Sequence, residues 1–170
     1  MASSKLNLSG VRSAYGRLRS VAVVTPLIEN KVLNHIAGAR ILLKAESLQR
    51  TGTFKFRGAY NAISQLSADE LKKGVVACSS GNHAQGVAEA ARLMDAQATI
   101  VMPSDTPDIK VEGVKRSGGQ IRFYDRVDED REEIALEISK TTGASFIHPY
   151  NDTHVILGQG TACLEALKQA

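Results

Sequence analysis

A lysine at the start of a predicted helix has the setting that most favours covalent chemistry. Lys55 lies in the run TGTFKFRGA, residues 51–59. The positive end of the helix dipole, the two flanking phenylalanines and the charge of Arg57 are each expected to disfavour its ammonium form. A lysine with a lowered pKa is a nucleophilic amine of the kind that forms Schiff bases with carbonyl cofactors. The alternative is an exposed lysine on a surface helix.

A second run, SSGNH at residues 79–83, follows a predicted strand and opens a predicted helix. In an open α/β sheet, ligands bind beyond the carboxyl ends of the strands. A helix N-terminus there offers backbone N–H groups to an anion such as a carboxylate, and the serine hydroxyls and the amide of Asn82 add donors. Helix capping explains one of these residues but not the whole run. His83 taken alone fits a packing or hydrogen-bonding role better than that of a base.

The predicted elements alternate between strand and helix, which is typical of a parallel sheet with crossover helices. Strands are expected at residues 41–44, 75–78, 98–102, 120–123 and 145–148, and helices at residues 54–66, 83–94, 109–116, 128–142 and 153–170. The predicted fold class is therefore α/β, with an open parallel sheet and flanking helices. We assign residues 53–150 to a small α/β domain, residues 1–52 to the N-terminal segment of a large domain, and residues 151–170 to the start of a helix that returns to the large domain.

Composition is that of an ordinary globular protein. The 170 residues are 43% hydrophobic and 23% charged, and no apolar run approaches the ~20 residues of a membrane span. Residues 1–28 carry four basic residues and no acid, while the rest is close to neutral, with 17 basic and 18 acidic residues. This charge balance does not predict a basic surface that would bind nucleic acid.

The cell compartment and the metal content are also predicted from composition. The acid-poor start resembles a transit peptide, but an apolar run at residues 21–27 leads directly into the structured part. A cytoplasmic location is therefore expected. Cys78 and Cys163 lack metal-ligand spacing and are expected to be reduced, and no metal site is predicted.

Together, the two runs resemble the fold-type II pyridoxal-phosphate enzymes, and specifically the serine/threonine dehydratase (threonine ammonia-lyase) and serine racemase family. Four further runs occur in the family's order: TPL at residues 25–27, KAESLQ at 44–49, HPYN at 148–151 and GQGT at 158–161. The similarity extends from Val11 to the last residue. It implies a tryptophan synthase beta-like fold and pyridoxal 5′-phosphate as the cofactor.

The resemblance also implies a role for each site residue. Lys55 would bind the cofactor covalently and then move the α-proton of the substrate. Asn82 would donate a hydrogen bond to the phenolic oxygen of the cofactor, and Phe54 would pack against its pyridine ring. The substrate carboxylate would be held by Ser79, Ser80, Gly81, Asn82 and His83.

The resemblance implies possible roles for two further residues. Ser80 occupies the position that, in racemases of the family, faces Lys55 across the substrate, so it is a second candidate catalytic residue. Arg131 falls where some members place an arginine near the substrate, but an ordinary ion pair on the helix surface is an equal alternative.

The chain also departs from the family pattern. Members are about twice as long, and their glycine-rich phosphate-binding loop lies in the C-terminal part. Because the sequence ends inside a helical pattern, we expect a C-terminally truncated chain. Thr53 stands where the family usually has serine.

The predicted function is the dehydration and deamination of L-threonine or L-serine to a 2-keto acid and ammonia. The alternatives are serine racemisation and a catalytically inactive fragment without the phosphate-binding loop. A sulfhydrylase-type synthase is disfavoured, because those enzymes have aspartate where Phe56 follows the lysine. The expected partner is a small amino-acid substrate, with neither nucleic acid nor membrane, and a homodimer is expected at full length.

Overall fold

The computed structural model describes residues 6–170, in which eight α-helices and six strands are connected mostly by short loops. In chain order they are α1 (Leu8–Leu18), β1 (Leu27–Glu29), α2 (Lys31–Ala37), β2 (Leu42–Lys44), α3 (Lys55–Ile63), α4 (Ala68–Lys73), β3 (Val75–Cys78), α5 (Asn82–Leu93), β4 (Ala98–Pro103), α6 (Asp108–Arg116), β5 (Gln120–Tyr124), α7 (Arg131–Thr142), β6 (Ser145–Phe146) and α8 (Thr153–Gln169). Two 3₁₀ turns, Glu46–Leu48 and Arg50–Gly52, connect β2 to α3.

Four strands form a parallel sheet in the order β5-β4-β3-β6. Each neighbouring pair is parallel, with Val75 opposite both Ala98 and Ser145. Every residue of β3 is buried, as expected for a strand covered on both faces. The predicted α/β class with an open parallel sheet is confirmed. A separate antiparallel pair joins β1 to β2.

The connections change direction at β3. The strands β3, β4 and β5 follow one another across the sheet, and α7 then returns the chain to β6 on the other side of β3. One face packs Ala77 against α5 in the larger apolar core, and the other packs Val76 against Ala135 of α7. The boundary between β3 and β6 is thus the topological switch point, where open α/β sheets bind ligands beyond the carboxyl ends of their strands.

Two glycines bring α3 and α8 into close contact. A Cβ on Gly158 would lie 2.6 Å from the carbonyl oxygen of Arg57, and a Cβ on Gly58 would lie 2.8 Å from that of Val155. No side chain fits between the two backbones at these positions. The GQGT run is therefore a helix-packing feature within α8.

A buried ion cluster joins α3 to α8 and to the N-terminal region. Arg57 is fully buried, and its guanidinium donates to Glu46 at 2.7 Å and to Glu165 at 2.8 Å. Lys44 also pairs with Glu165 at 2.8 Å, and the hydroxyl of Thr25 donates to Glu46. Burial alone would lower the pKa of Arg57, but the two carboxylates raise it.

The ion cluster corrects one expectation about Lys55. From the sequence, the charge of Arg57 is expected to lower the pKa of Lys55. That interpretation is wrong, because two carboxylates neutralise this guanidinium inside the protein. The pKa of Lys55 is lowered by burial of its side chain.

Several elements differ from the sequence prediction. The helices α1, α2 and α4 and the strand β1 were not predicted. A capping box starts α4, since Ser67 and Glu70 each accept a hydrogen bond from the other's backbone N–H. The helix α7 begins three residues later than expected, because Asp130 accepts from the N–H groups of its first turn. The strand β6 is two residues shorter than predicted, which leaves Ile147 and His148 in the following loop.

The structure does not test where one domain ends and the next begins. The helix α8 packs against both α1 and α3, so elements assigned to different domains are in contact. The boundaries after residues 52 and 150 remain predictions. Among residues 6–170, no helix combines the length and apolar character needed to cross a membrane.

We expect Arg57→Met to lower the free energy of unfolding by about 3–5 kcal/mol, because it removes the buried guanidinium that neutralises Glu46 and leaves Lys44 alone to neutralise Glu165. The matched control is Arg40→Met. The guanidinium of Arg40 pairs with Glu29 on the surface, with side chains 59% and 40% exposed, so its loss should lower the free energy of unfolding far less, because solvent screens an exposed pair. Urea unfolding measures both. Equal losses in the two variants would contradict the role given to the buried cluster.

Candidate active site

Lys55 is the first residue of α3, one residue after the predicted start of this helix, and its amine lies at the switch point of the sheet. Its Nζ donates to the carbonyl oxygen of Pro149 at 2.8 Å, in the loop that follows β6. The side chain is half-buried, and this burial lowers the pKa of Lys55 below its ordinary value. The structure therefore places an amine with a raised neutral fraction at the edge of the sheet where ligands bind.

The two phenylalanines beside Lys55 have different surroundings. Phe56 is fully buried and packs against Tyr60, with ring centroids 5.7 Å apart. Phe54 is 41% exposed, and its ring centroid lies 5.6 Å from Nζ of Lys55. Only Phe54 offers an open apolar face to a planar group attached near the amine.

The backbone of Lys55 is fixed by neighbours that sequence reasoning missed. A Cβ on Gly86 of α5 would lie 3.2 Å from the carbonyl carbon of Lys55, so α5 and the start of α3 are in near contact. From α8, the side-chain oxygen of Gln159 accepts from the N–H of Gly58 at 3.2 Å. The available signal for Gly86 was an isolated glycine inside an alanine-rich helix, which usually has a packing reason.

The loop between β3 and α5 leaves the helix N-terminus open. The N–H of Gly81 donates to the hydroxyl oxygen of Ser79 at 3.2 Å. Gly81 is the N-cap residue, so no side chain caps the first turn of α5 within the described part of the chain. The capping alternative is therefore not what the structure shows. Ser79, Ser80 and Gly81 are partly exposed and Asn82 is exposed, which leaves hydroxyl, amide and backbone donors accessible to an anion.

Lys110 adds a positive charge beside this loop, and sequence reasoning missed it. Its Nζ lies 3.6 Å from the position that a Cβ on Gly81 would occupy. No ion-pair partner for Lys110 occurs among residues 6–170. The signal available was its place in the first turn of the helix that follows β4, at the same edge of the sheet.

The ring of His83 makes a hydrogen bond inside the protein. The ring is only 3% exposed, and Nε2 lies 3.0 Å from the carbonyl oxygen of Ile147. Because a carbonyl only accepts, Nε2 must carry the proton, and the buried Nδ1 is an acceptor without a partner in the described structure. Burial lowers the pKa of His83 to about 4. The neutral imidazole has no N–H left for a carboxylate, and only the backbone N–H of His83 is available to bind one.

The HPYN run forms a turn, and the carbonyl oxygen of Pro149 in this turn accepts the hydrogen bond from Lys55. Nδ1 of His148 accepts from the backbone N–H groups of Tyr150 and Asn151 at 3.2 and 2.8 Å. The ring of Tyr150 packs edge-on against His148, with centroids 4.6 Å apart. This local bonding shapes the turn at Pro149.

Arg131 is exposed at the start of α7. Its expected surface ion pair is not found among the described residues. Burial raises the pKa of the Cys78 thiol, and the charge of Arg131 acts in the opposite direction. Since Cys78 directly precedes Ser79, this arginine lies at the same edge of the sheet as the site.

A depression lies at the opposite edge of the sheet from Lys55. It measures about 400 Å³ and is lined by residues that precede the strands, among them Leu71, Arg92, Asp95 and Ser117. It contains none of the predicted site residues. We therefore place the candidate site at Lys55 on chemical grounds.

Known proteins resemble this chain over nearly all of its length. A family model described as "Pyridoxal-phosphate dependent enzyme" matches residues 19–170. The L-threonine ammonia-lyase of Thermotoga maritima is 46% identical over 163 residues, which are 96% of this chain and 41% of that protein. An L-threo-3-hydroxyaspartate ammonia-lyase of a Pseudomonas species is 48% identical over 158 residues, covering 93% of this chain and 50% of that protein.

Solved structures also match this chain over nearly all of its length. Maize serine racemase has a TM-score of 0.93 at 40% identity, over 96% of this chain and 50% of that one. The processed form of threonine deaminase isoform 2 from Solanum lycopersicum has a TM-score of 0.86 at 38% identity, over 96% of this chain and 47% of that one. The chain thus spans about half the length of the relatives that it matches.

We expect His83 to make stability depend on pH in a specific window. Its folded pKa of about 4 lies below the ordinary value of 6.5, so the unfolded chain binds the proton first. The free energy of unfolding should therefore fall as pH drops from about 6.5 to 4, by up to about 3 kcal/mol from this group. Urea unfolding across that window should show a smaller decline for His83→Gln. The control His35→Gln removes an exposed histidine and should keep the wild-type decline, and identical slopes in all three proteins would contradict the assignment.

Proposed function

Because this chain belongs to the family of pyridoxal-phosphate dependent enzymes, we propose that the whole protein is an ammonia-lyase acting on a β-hydroxy amino acid such as L-threonine or L-serine. The products are a 2-keto acid and ammonia. One observation carries the proposal: the half-buried amine of Lys55 lies beside Pro149, at the switch point that also presents the Ser79–Asn82 loop. Relatives named as ammonia-lyases support this reaction class.

The residues at this edge fit the family's cofactor. Pyridoxal phosphate needs a nucleophilic amine, an apolar surface for its ring and a donor for its phenolic oxygen, and Lys55, Phe54 and Asn82 offer these three. When bound, the cofactor withdraws electrons from the substrate's α-carbon. Lys55 would hold it, Phe54 would cover one face of the ring and Asn82 would bind the phenolic oxygen.

The substrate carboxylate would bind at the open N-terminus of α5. Backbone N–H groups of the first turn, including that of His83, point toward this position, and the Ser79 and Ser80 hydroxyls add donors. Gly81 allows the carboxylate close to the backbone, and Lys110 contributes its charge. Hydrogen bonds that involve a charged group contribute about 1.5–3 kcal/mol each, so this set can orient an amino acid by its carboxylate.

Lys55 would move the α-proton of the bound amino acid. A base must be neutral before it accepts a proton, and burial increases the neutral fraction of this amine. The carbonyl of Pro149 accepts a hydrogen bond from Nζ and thereby fixes where the nitrogen lone pair can point. The β-hydroxyl would then take up a proton and leave as water, and the resulting enamine would hydrolyse to the 2-keto acid and ammonia.

Racemisation is the second candidate function, and the partly exposed side chain of Ser80 is what favours it. In a racemase a second group must return a proton on the face opposite Lys55, and Ser80 is the residue proposed for that step. Relatives named as serine racemases, such as that of Schizosaccharomyces pombe, match at 44% identity over 94% of this chain. The Ser80→Ala variant distinguishes the two functions.

The 170-residue chain by itself is proposed to bind the phosphate weakly. Its sequence contains no glycine-rich phosphate loop, and Gly118 lies in a turn with a positive φ of 73°. A cytoplasmic location and a homodimer of the whole protein are likewise proposals. Sedimentation of the whole protein would test the dimer.

We expect borohydride reduction in excess pyridoxal phosphate to attach the cofactor to Lys55. The physical reason is that Lys55 has more neutral amine at a given pH than an exposed lysine does. Peptide mass mapping locates the modification. Lys55→Arg should remove it, whereas Lys72→Arg, at a side chain 78% exposed, should leave it in place. Modification spread over the surface lysines, with Lys55 unlabelled, would disprove the proposed anchor.

We expect Ser80→Ala in the whole protein to lower D-serine formation from L-serine at least about tenfold more than keto-acid formation, because removing an acid–base group typically costs about 10²–10⁴-fold. Chiral chromatography and a keto-acid assay measure the two products. An equal loss of both would show that Ser80 acts in substrate binding alone. D-Serine as the main product of the unmodified protein would favour the racemase.

A further inference from the structure

The turn at Pro149, whose carbonyl oxygen accepts the hydrogen bond from Lys55, follows a residue that is bonded by a side chain of another helix. The N–H of Ile147 donates to Val76 at 2.8 Å, which is the last bond of the sheet on this strand. The next residues leave the sheet, and Pro149 has no N–H with which to continue it. Nε2 of His83, on the neighbouring helix α5, donates to the carbonyl oxygen of Ile147 at 3.0 Å.

We propose that His83 is a positioning residue for Lys55: its imidazole fixes the carbonyl of Ile147, and through it the turn that presents the carbonyl oxygen of Pro149 to the lysine amine. Two hydrogen bonds carry the effect, from His83 to Ile147 at 3.0 Å and from Lys55 to Pro149 at 2.8 Å. They are joined by two residues of backbone. The inference gives the site a side chain that acts without touching the reacting atoms.

The unpartnered ring nitrogen supports a positioning role. Nδ1 of His83 is buried and accepts no hydrogen bond in the described structure. An unsatisfied buried acceptor lowers stability, and an apolar side chain of similar size would avoid that cost. The feature that only the polar ring provides is the Nε2–H donor to Ile147.

The charged groups around the ring come from three elements. They are Lys55 at the start of α3, His148 in the turn itself and Asp152 at the N-cap of α8. The first two disfavour an imidazolium and the third favours it, while burial is the largest influence. The ring is therefore neutral throughout the pH range in which a lysine amine titrates, so replacing it with a neutral amide does not change the charge near Lys55.

Substituting His83 by glutamine or by methionine tests separately whether its hydrogen-bond donor or its packed volume matters. In His83→Gln the side-chain amide places an N–H near the position of Nε2, so it keeps the bond to Ile147. His83→Met fills a similar volume without a donor. His83→Asn is the second test variant, because its amide N–H corresponds to Nδ1 and falls short of Ile147.

Competitive acetylation of the 170-residue chain across pH tests the inference, with peptide mass spectrometry reporting each lysine separately. Lys72, which is 78% exposed, is the internal reference in the same digest. We expect His83→Met and His83→Asn to raise the labelling midpoint of Lys55 by about half a pH unit or more, toward that of Lys72, because the released amine becomes more solvated. His83→Gln should keep the midpoint of the unmodified chain.

Two results would overturn the inference. The first is an unchanged Lys55 midpoint in whichever of the Met and Asn variants retains cooperative thermal unfolding. The second is a shift in His83→Gln as large as in His83→Met, which would show that ring packing and not the donor matters. The inference rests on the proposed role of Lys55, but acetylation needs no cofactor, so a failure of cofactor binding and a failure of His83 to position the amine are separately visible.

Discussion

The position of the Lys55 amine depends on a buried cation on the other side of its own helix. Arg57 lies two residues after Lys55, points into the protein and is enclosed by Glu46 and Glu165. Buried ion pairs stabilise only when the geometry leaves no charge uncompensated, so the start of α3 has one position relative to α8 and the N-terminal region. The close contact at Gly58 and Gly158 imposes the same constraint sterically. With α3 fixed in this way, Lys55 must project toward the carboxyl edge of the sheet.

This constraint explains why short runs far apart in the sequence occur together. The TPL run supplies Thr25, which bonds Glu46, and the KAESLQ run supplies Lys44 and Glu46 themselves. The GQGT run supplies the glycine that lets α8 approach α3. These runs support the lysine without forming part of its pocket. The HPYN run differs, because it forms the turn whose carbonyl oxygen contacts Nζ of Lys55.

Local patterns predicted the elements around the candidate site better than they predicted the supporting contacts. The start of α3 within one residue of Lys55, the parallel sheet and the open loop before α5 follow from periodicity and from residue types. The helix α4 was missed although its capping box is readable in the sequence. The partners of Arg57, the donor role of His83 and the proximity of Lys110 to Gly81 are contacts between residues far apart along the chain, and no local pattern reports such contacts. The assumed effect of Arg57 on Lys55 failed for this reason, since sequence proximity does not reveal where a long side chain points.

The central claim is that burial at the switch point keeps the amine of Lys55 neutral at a lower pH than other lysines. Nuclear magnetic resonance of the chain with ¹³C-labelled lysine ε-carbons measures this directly, and the spectrum of Lys55→Arg assigns the signal. The account predicts that the Lys55 resonance titrates at a lower pH than those of exposed lysines such as Lys72. A Lys55 resonance that titrates together with the exposed lysines would contradict the account.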